Sequence, residues 1–179
     1  RYIKNIIPSA VLLLSMGFSS CIGDLDVTPI DPNKNMDLDP EALFNMCYAN
    51  FALEGVEGPG KANIAADDPG TTGLVRELFN ANELTTDEAI CAWTDPGVTT
   101  MNTNEQDASN TFLAIYYNRL YSGISVCNQY LTVAADVDAT RTAEIRFIRA
   151  LQFYLAMDAF GNIPVPTMIS NEKPVQETQ

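Results

Sequence analysis

Trp93 is the only tryptophan in 179 residues, and it stands in a polar run, Ala92-Trp93-Thr94-Asp95-Pro96. A planar indole in such a loop can stack on the apolar face of a pyranose ring. It could equally anchor the loop by tucking into a helical core, since large aromatics are usually much buried. Both readings are open from residue type and setting. Just upstream lie Glu83, Asp87 and Glu88. Paired carboxylates at a fixed separation cleave glycosidic bonds, but acidic residues run through the whole chain and nothing sets two of these across a cleft, so they read as solvated charges. Histidine is absent, which removes the usual base beside a serine or cysteine nucleophile and the commonest zinc ligand. Cys21, Cys47, Cys91 and Cys127 form no CxxC pair or metal-type spacing. The residues therefore point to binding by a non-enzyme, with no catalytic residue, no metal and no cofactor.

The elements that would position Trp93 are helices. The richest stretch is Ala143 to Pro166, AEIRFIRALQFYLAMDAFGNIPVP. Ile148, Leu151, Leu155 and Ala159 recur at helical spacing, and Phe147 and Tyr154 widen the same stripe, so that face should be buried. Gly161 can take the left-handed conformation that stops a helix near Phe160, and Pro164 and Pro166 keep it from resuming. A long helix is expected from Thr111 to about Ala134, presenting Phe112, Ile115, Tyr116, Leu120, Ile124, Cys127 and Leu131. The short acidic link Asp136 to Asp138 makes these two an antiparallel hairpin of nearly equal arms, the unit of tetratricopeptide-like solenoids. Pro40 should open a further helix through Leu43, Phe44, Cys47, Tyr48, Phe51 and Ala52, ending near Gly55. Gly55 to Gly73 reads as an irregular loop, Leu74 to Ala81 as a helical turn, and the region from there to Ser109 as too polar for core. Cys47 and Cys127 fall in apolar helical patterns and read as buried thiols, with one disulfide among the three non-leader cysteines also possible. Cys91 is undecided.

The N-terminus has the order of an export signal. Arg1 and Lys4 precede an apolar run from Ile6 to Phe18, and Ser19 and Ser20 lead into Cys21. The run, interrupted by Pro8, Ser9 and Gly17, is short for a bilayer span. Removing residues 1–20 would also remove Arg1 and Lys4, taking the net charge from −13 to about −15. Such a chain does not suit phosphate backbones, so nucleic acid is excluded as a partner. Neutral sugars remain suitable ligands, since ring faces and hydrogen bonds need no basic surface.

Two of these stretches resemble a known family. The helix and exit from Ala143 to Pro166 resemble the signature of the SusD/RagB family, surface glycan-binding lipoproteins that sit over TonB-dependent transporters in Bacteroidetes. Residues Ser19 to Cys21 resemble a lipobox in which Cys21 becomes the lipidated first residue, with Phe18 departing from the usual aliphatic position. Asp24 and Asp26 just beyond resemble an acidic surface-export signal. The segment Gly70 to Trp93, GTTGLVRELFNANELTTDEAICAW, is similar to the starch-binding branch. That similarity implies Trp93 as the stacking platform, Arg76 as a donor to glucose hydroxyls and Asp68 as an acidic contact. Arg76 could instead pair with Glu83 or Asp87 as an ordinary surface charge. One position departs: the starch-binding pattern has an amide three residues after the tryptophan, and here Pro96 stands there.

The resemblance implies a mainly α, SusD-like fold of tetratricopeptide-like hairpins with a long loop-rich ligand-binding face, truncated to the N-terminal part of longer relatives. It divides the chain into a lipoprotein signal peptide (1–20), a lipidated extended tether (21–39) and the N-terminal part of the helical domain (40–179), with further site residues expected past 179. It implies an outer-membrane surface lipoprotein, lipid-anchored through Cys21, that captures an oligosaccharide, starch or malto-oligosaccharide foremost, and passes it to a SusC-like TonB-dependent transporter. Two other readings stay open: a peptide-capturing RagB-like lid, and a helical scaffold or adhesin without a small ligand.

Overall fold

The computed structural model describes residues 39–54, 64, 66 and 69–169; the signal peptide, Cys21, most of the tether and Asp68 lie outside the described residues. Helix α1 (Pro40–Ala49) begins where the Asp39 carboxylate accepts the Glu41 N–H at 3.0 Å, with Pro40 in the first turn, where its missing N–H costs nothing. It buries Leu43 and Cys47 one turn apart. The expected continuation to Gly55 does not form. After Ala49 the chain tightens into turns, Phe51 N–H reaching Tyr48 O at 3.1 Å, and the Asn50 side chain enters a buried polar cluster.

A 3₁₀ turn (Pro69–Thr71) leads into α2 (Leu74–Glu83), which places Leu74 and Glu77 inward. Helix α3 (Val98–Asn102) is one short turn. Helices α4 (Thr111–Val133) and α5 (Ala139–Phe160) are the long arms. Asn110 and Asp138 cap them, the first accepting from Leu113 N–H and the second from Thr140 and Arg141 N–H. Gly161, at φ 72°, ends α5 as its left-handed capacity predicts. The arms are antiparallel: Tyr116 packs on Phe160 at 5.8 Å, Gln152 reaches Cys127, and Thr142 donates to Ala135 O at 2.9 Å. Among the described residues the fold is mainly helical, and no helix is long and apolar enough to cross a membrane.

Core formation divides into three clusters. The first joins α1, α4 and α5 through Leu43, Cys47, Val126, Cys127, Tyr130, Ala134, Ile145 and Ile148. The second joins α2 to the hairpin through Leu74, Tyr116, Leu120, Ala156 and Ile163. The third joins Leu84, Val98 and Met101, from the stretch whose composition reads as too polar for core, to Phe112 of α4. Its apolar residues are few and widely spaced, so no periodicity reveals them; the loops bring them onto the first turn of α4.

The face of α5 also differs from expectation. Ile145, Ile148, Gln152 and Ala156 are buried, whereas Phe147 and Tyr154 are 68% and 58% exposed and Ala159 is exposed. Only Ile148 of the expected stripe is fully buried; Leu151 and Leu155 are partly covered. A helix with apolar residues nearly all round does not declare its buried face. Here α4 and α1 select it.

Candidate functional site

Trp93 sits in an irregular segment between α2 and α3 and is 62% exposed, so it is not tucked into the helices. The segment is nonetheless fastened on both sides. Asn102 Nδ2 donates to Cys91 O at 2.9 Å and Asn104 Nδ2 to Thr85 O at 3.0 Å. Ala89 and Cys91 pack against the third cluster.

The residues after Trp93 close a tight turn. Val98 N–H bonds Asp95 O at 3.1 Å, with Pro96 second and Gly97 third at φ 98°. This is the residue pattern of a type II turn, in which proline presets one corner and glycine takes the left-handed one. A side chain at Gly97 would also meet Phe112 Cδ2 at 3.0 Å. Pro96, the departure from the starch-binding pattern, therefore has a structural role: it fixes the turn that carries Trp93 back into α3.

Arg76, half-buried on α2, comes to the same place. Its Nη1 donates to Gly70 O at 2.8 Å, and its Cζ lies 5.7 Å from the Trp93 ring centroid, within cation–π range. Arg76 pairs with neither Glu83 nor Asp87; its carboxylate neighbour among the described residues is Glu77, with Nε 3.9 Å from Oε1. The guanidinium is thus steered by a backbone carbonyl, an indole face and a buried carboxylate. Two of the three expected ligand contacts stand together, and the third, Asp68, lies outside the described residues.

Glu77 is the group that residue-by-residue reading overlooked. It is 1% exposed beneath Arg76, and burial pushes its carboxyl up to about 7, against the opposing pull of the Asn80 amide and the Arg76 charge. Its position was legible: Glu77 falls three residues after Leu74, inside the stripe that continues through Leu78 and Ala81. A second overlooked feature is the polar junction that seats α2. Arg119, fully buried on α4, donates from Nε to Thr72 O at 2.7 Å, and Asn50 Nδ2 donates to Gln152 Oε1 at 2.9 Å and to Arg119 O at 3.4 Å. These bonds run from α5 and the end of α1 through α4 to the residues just before α2. Gly123 leaves room for the junction, since a Cβ there would meet Gln152 Oε1 at 1.9 Å and Asn50 Nδ2 at 2.2 Å. Among the described residues no cluster of His, Cys, Asp or Glu could hold a metal ion.

An exposed aromatic, a fixed cation beside it and a rigid helical seat make a surface suited to reversible recognition of a polar ring compound. No protein-family model matches the chain. The chain is 34% identical over 187 residues to the starch-binding protein SusD of Bacteroides thetaiotaomicron, a match that covers 99% of the chain and 33% of that protein. Nearly the whole chain is thus similar to part of a SusD protein, and it spans about a third of the length of that curated relative.

Proposed function

We propose that the protein binds glycan without cleaving it, with starch or malto-oligosaccharide the leading ligand. The observation that carries this reading is Arg76 held 5.7 Å from the exposed Trp93 ring in a chain similar to a starch-binding protein. Trp93 is the stacking surface, Arg76 the hydroxyl donor and Asp68 the acidic contact. Each such contact is individually weak, so the role is capture and local concentration of ligand. Captured oligosaccharide then passes to a SusC-like TonB-dependent transporter in the outer membrane. Residues 1–20 direct export, Cys21 carries the lipid, and residues 21–39 tether the helical domain of 40–179 at the cell surface.

The test is migration of the full-length mature protein through a native gel containing amylopectin, beside a non-binding control. Retardation of wild type, lost in Trp93→Ala and weakened in Arg76→Ala, supports the reading. Equal, unretarded migration of all three rejects starch and turns the search to other glycans and to peptides. The anchor is tested separately: Cys21→Ala should move the protein from the membrane fraction to the soluble one.

A further inference from the structure

We propose that Cys47 and Cys127 form a disulfide in the exported protein, joining α1 covalently to α4. The proposal rests on the export reading above, since a disulfide persists in an oxidising compartment. The geometry comes first. Both cysteines are 0% exposed, both belong to the same core cluster, and they stand on different helices with each thiol the leading electrostatic neighbour of the other. Cys91, the other described cysteine, is only partly buried and packs against a different cluster with Leu84 and Met101. It has no place in the pair.

The contact is also chemically directed. The neighbouring Cys47 thiol, the Gln152 amide donating to Cys127 Sγ at 3.7 Å and the charge of Arg149 hold the Cys127 thiol below the usual range, against the effect of burial. The same contact, reinforced by burial, pushes Cys47 up. Gln152 and Arg149 stand on α5, so within the α4–α5 hairpin they favour the Cys127 thiolate before α1 arrives, and the thiolate is the attacking species.

The oxidant is a donor disulfide, either a thiol–disulfide oxidoreductase or a small-molecule disulfide such as oxidised glutathione. The Cys127 thiolate attacks one donor sulfur, breaking the donor S–S bond and releasing one donor thiolate. Cys47 loses its proton to solvent and attacks Cys127 Sγ, expelling the second donor thiolate. One S–S bond forms in the protein, one is lost from the donor, and two electrons pass to the donor, which ends as two thiols. Full burial in the folded state places this exchange before α1 docks on α4. The resulting loop from 47 to 127 encloses α2, the Trp93 segment and α3, so the bridge would limit how far the recognition surface can move from the hairpin.

The experiment refolds the full chain in a mixed reduced and oxidised glutathione buffer, alkylates free thiols and digests with trypsin without reduction. Cleavage after Lys34, Lys61, Arg76, Arg119 and Arg141 puts Cys47 in residues 35–61, Cys91 in 77–119 and Cys127 in 120–141. The expected main species is 35–61 joined to 120–141, released by dithiothreitol, retained in Cys91→Ser and absent in Cys47→Ser, where Cys127 becomes alkylated. Recovery of 35–61 and 120–141 as separate alkylated peptides, or either joined to Cys91, overturns the proposal. Export is scored apart by protease shaving of intact cells. A protein that stays inside the cell yet forms the bridge on refolding sinks the localisation and leaves the pair standing.

Discussion

The two seats on the α4–α5 hairpin are built from different materials. Where α1 docks, the buried contact is apolar: Leu43 and Cys47 meet Val126, Cys127, Tyr130, Ile145 and Ile148, with the Glu41–Arg141 and Tyr48–Glu144 pairs only at its exposed rim. Where the chain enters α2, apolar Leu74 and Leu120 share the work with a buried polar junction of Asn50, Arg119, Gln152 and the Thr72 carbonyl. A dry contact is non-directional and tolerates sliding. Hydrogen bonds among buried groups are directional, and leaving one unmade is costly. The apolar seat thus supplies cohesion, and the polar seat sets the position of the helix that holds Arg76 beside Trp93.

The sharpest way to break this contrast is to fill the space that the polar seat requires. Gly123→Val should displace the Asn50–Gln152 bond with no room to re-form it, and urea denaturation should show a loss of about 2–4 kcal/mol, combining overpacking with unmade buried hydrogen bonds. A smaller loss, near that of an exposed helical glycine, would mean the junction repacks freely.

Cohesion of the dry seat is tested by truncation. Ile145→Ala, at a fully buried position, should cost about 2–4 kcal/mol in the same assay. Phe147→Ala, two residues along and 68% exposed, should cost less than about 1 kcal/mol. Equal costs would restore the stripe that spacing alone suggests and contradict the observed face of α5.

Glu77 gives the seat of α2 a pH dependence between the acid and neutral range. Its folded carboxyl is raised from 4.5 to about 7, so between these values the folded state binds more protons than the unfolded chain. Stability therefore falls as pH rises through that window and levels above it. Glu77→Gln should flatten this slope and raise stability at pH 8 by about 1–3 kcal/mol. A slope unchanged in the variant would assign the dependence to another group.

Smallest of all in stability should be Trp93→Ala, within about 0.5 kcal/mol, because the ring is largely in water. The same change should abolish retardation by amylopectin. A large stability loss with retained retardation would make Trp93 a structural residue instead.

Local signals stated much of this architecture outright. Pro40 marks a helix start, Gly161 marks a stop, and the 3.6-residue recurrence in α4 marks a buried face, since each acts within a turn or two of chain. Trp93, in its polar Pro-Gly setting, was visible as a candidate platform for the same reason. What those signals could not decide was choice between equivalents. On α5 apolar residues nearly surround the helix, and only the arrival of α4 and α1 buries Ile145 and leaves Phe147 in water. In the segment after α2, Leu84, Val98 and Met101 are too far apart to show a period, and packing on Phe112 makes them core. The pairing of Arg76 with Trp93 and the Asn50–Gln152–Arg119 junction join residues distant along the chain. Residue types and spacing determine which segments become helices; the tertiary structure determines which faces meet, because burial and directional hydrogen bonds depend on partners the local chain does not contain.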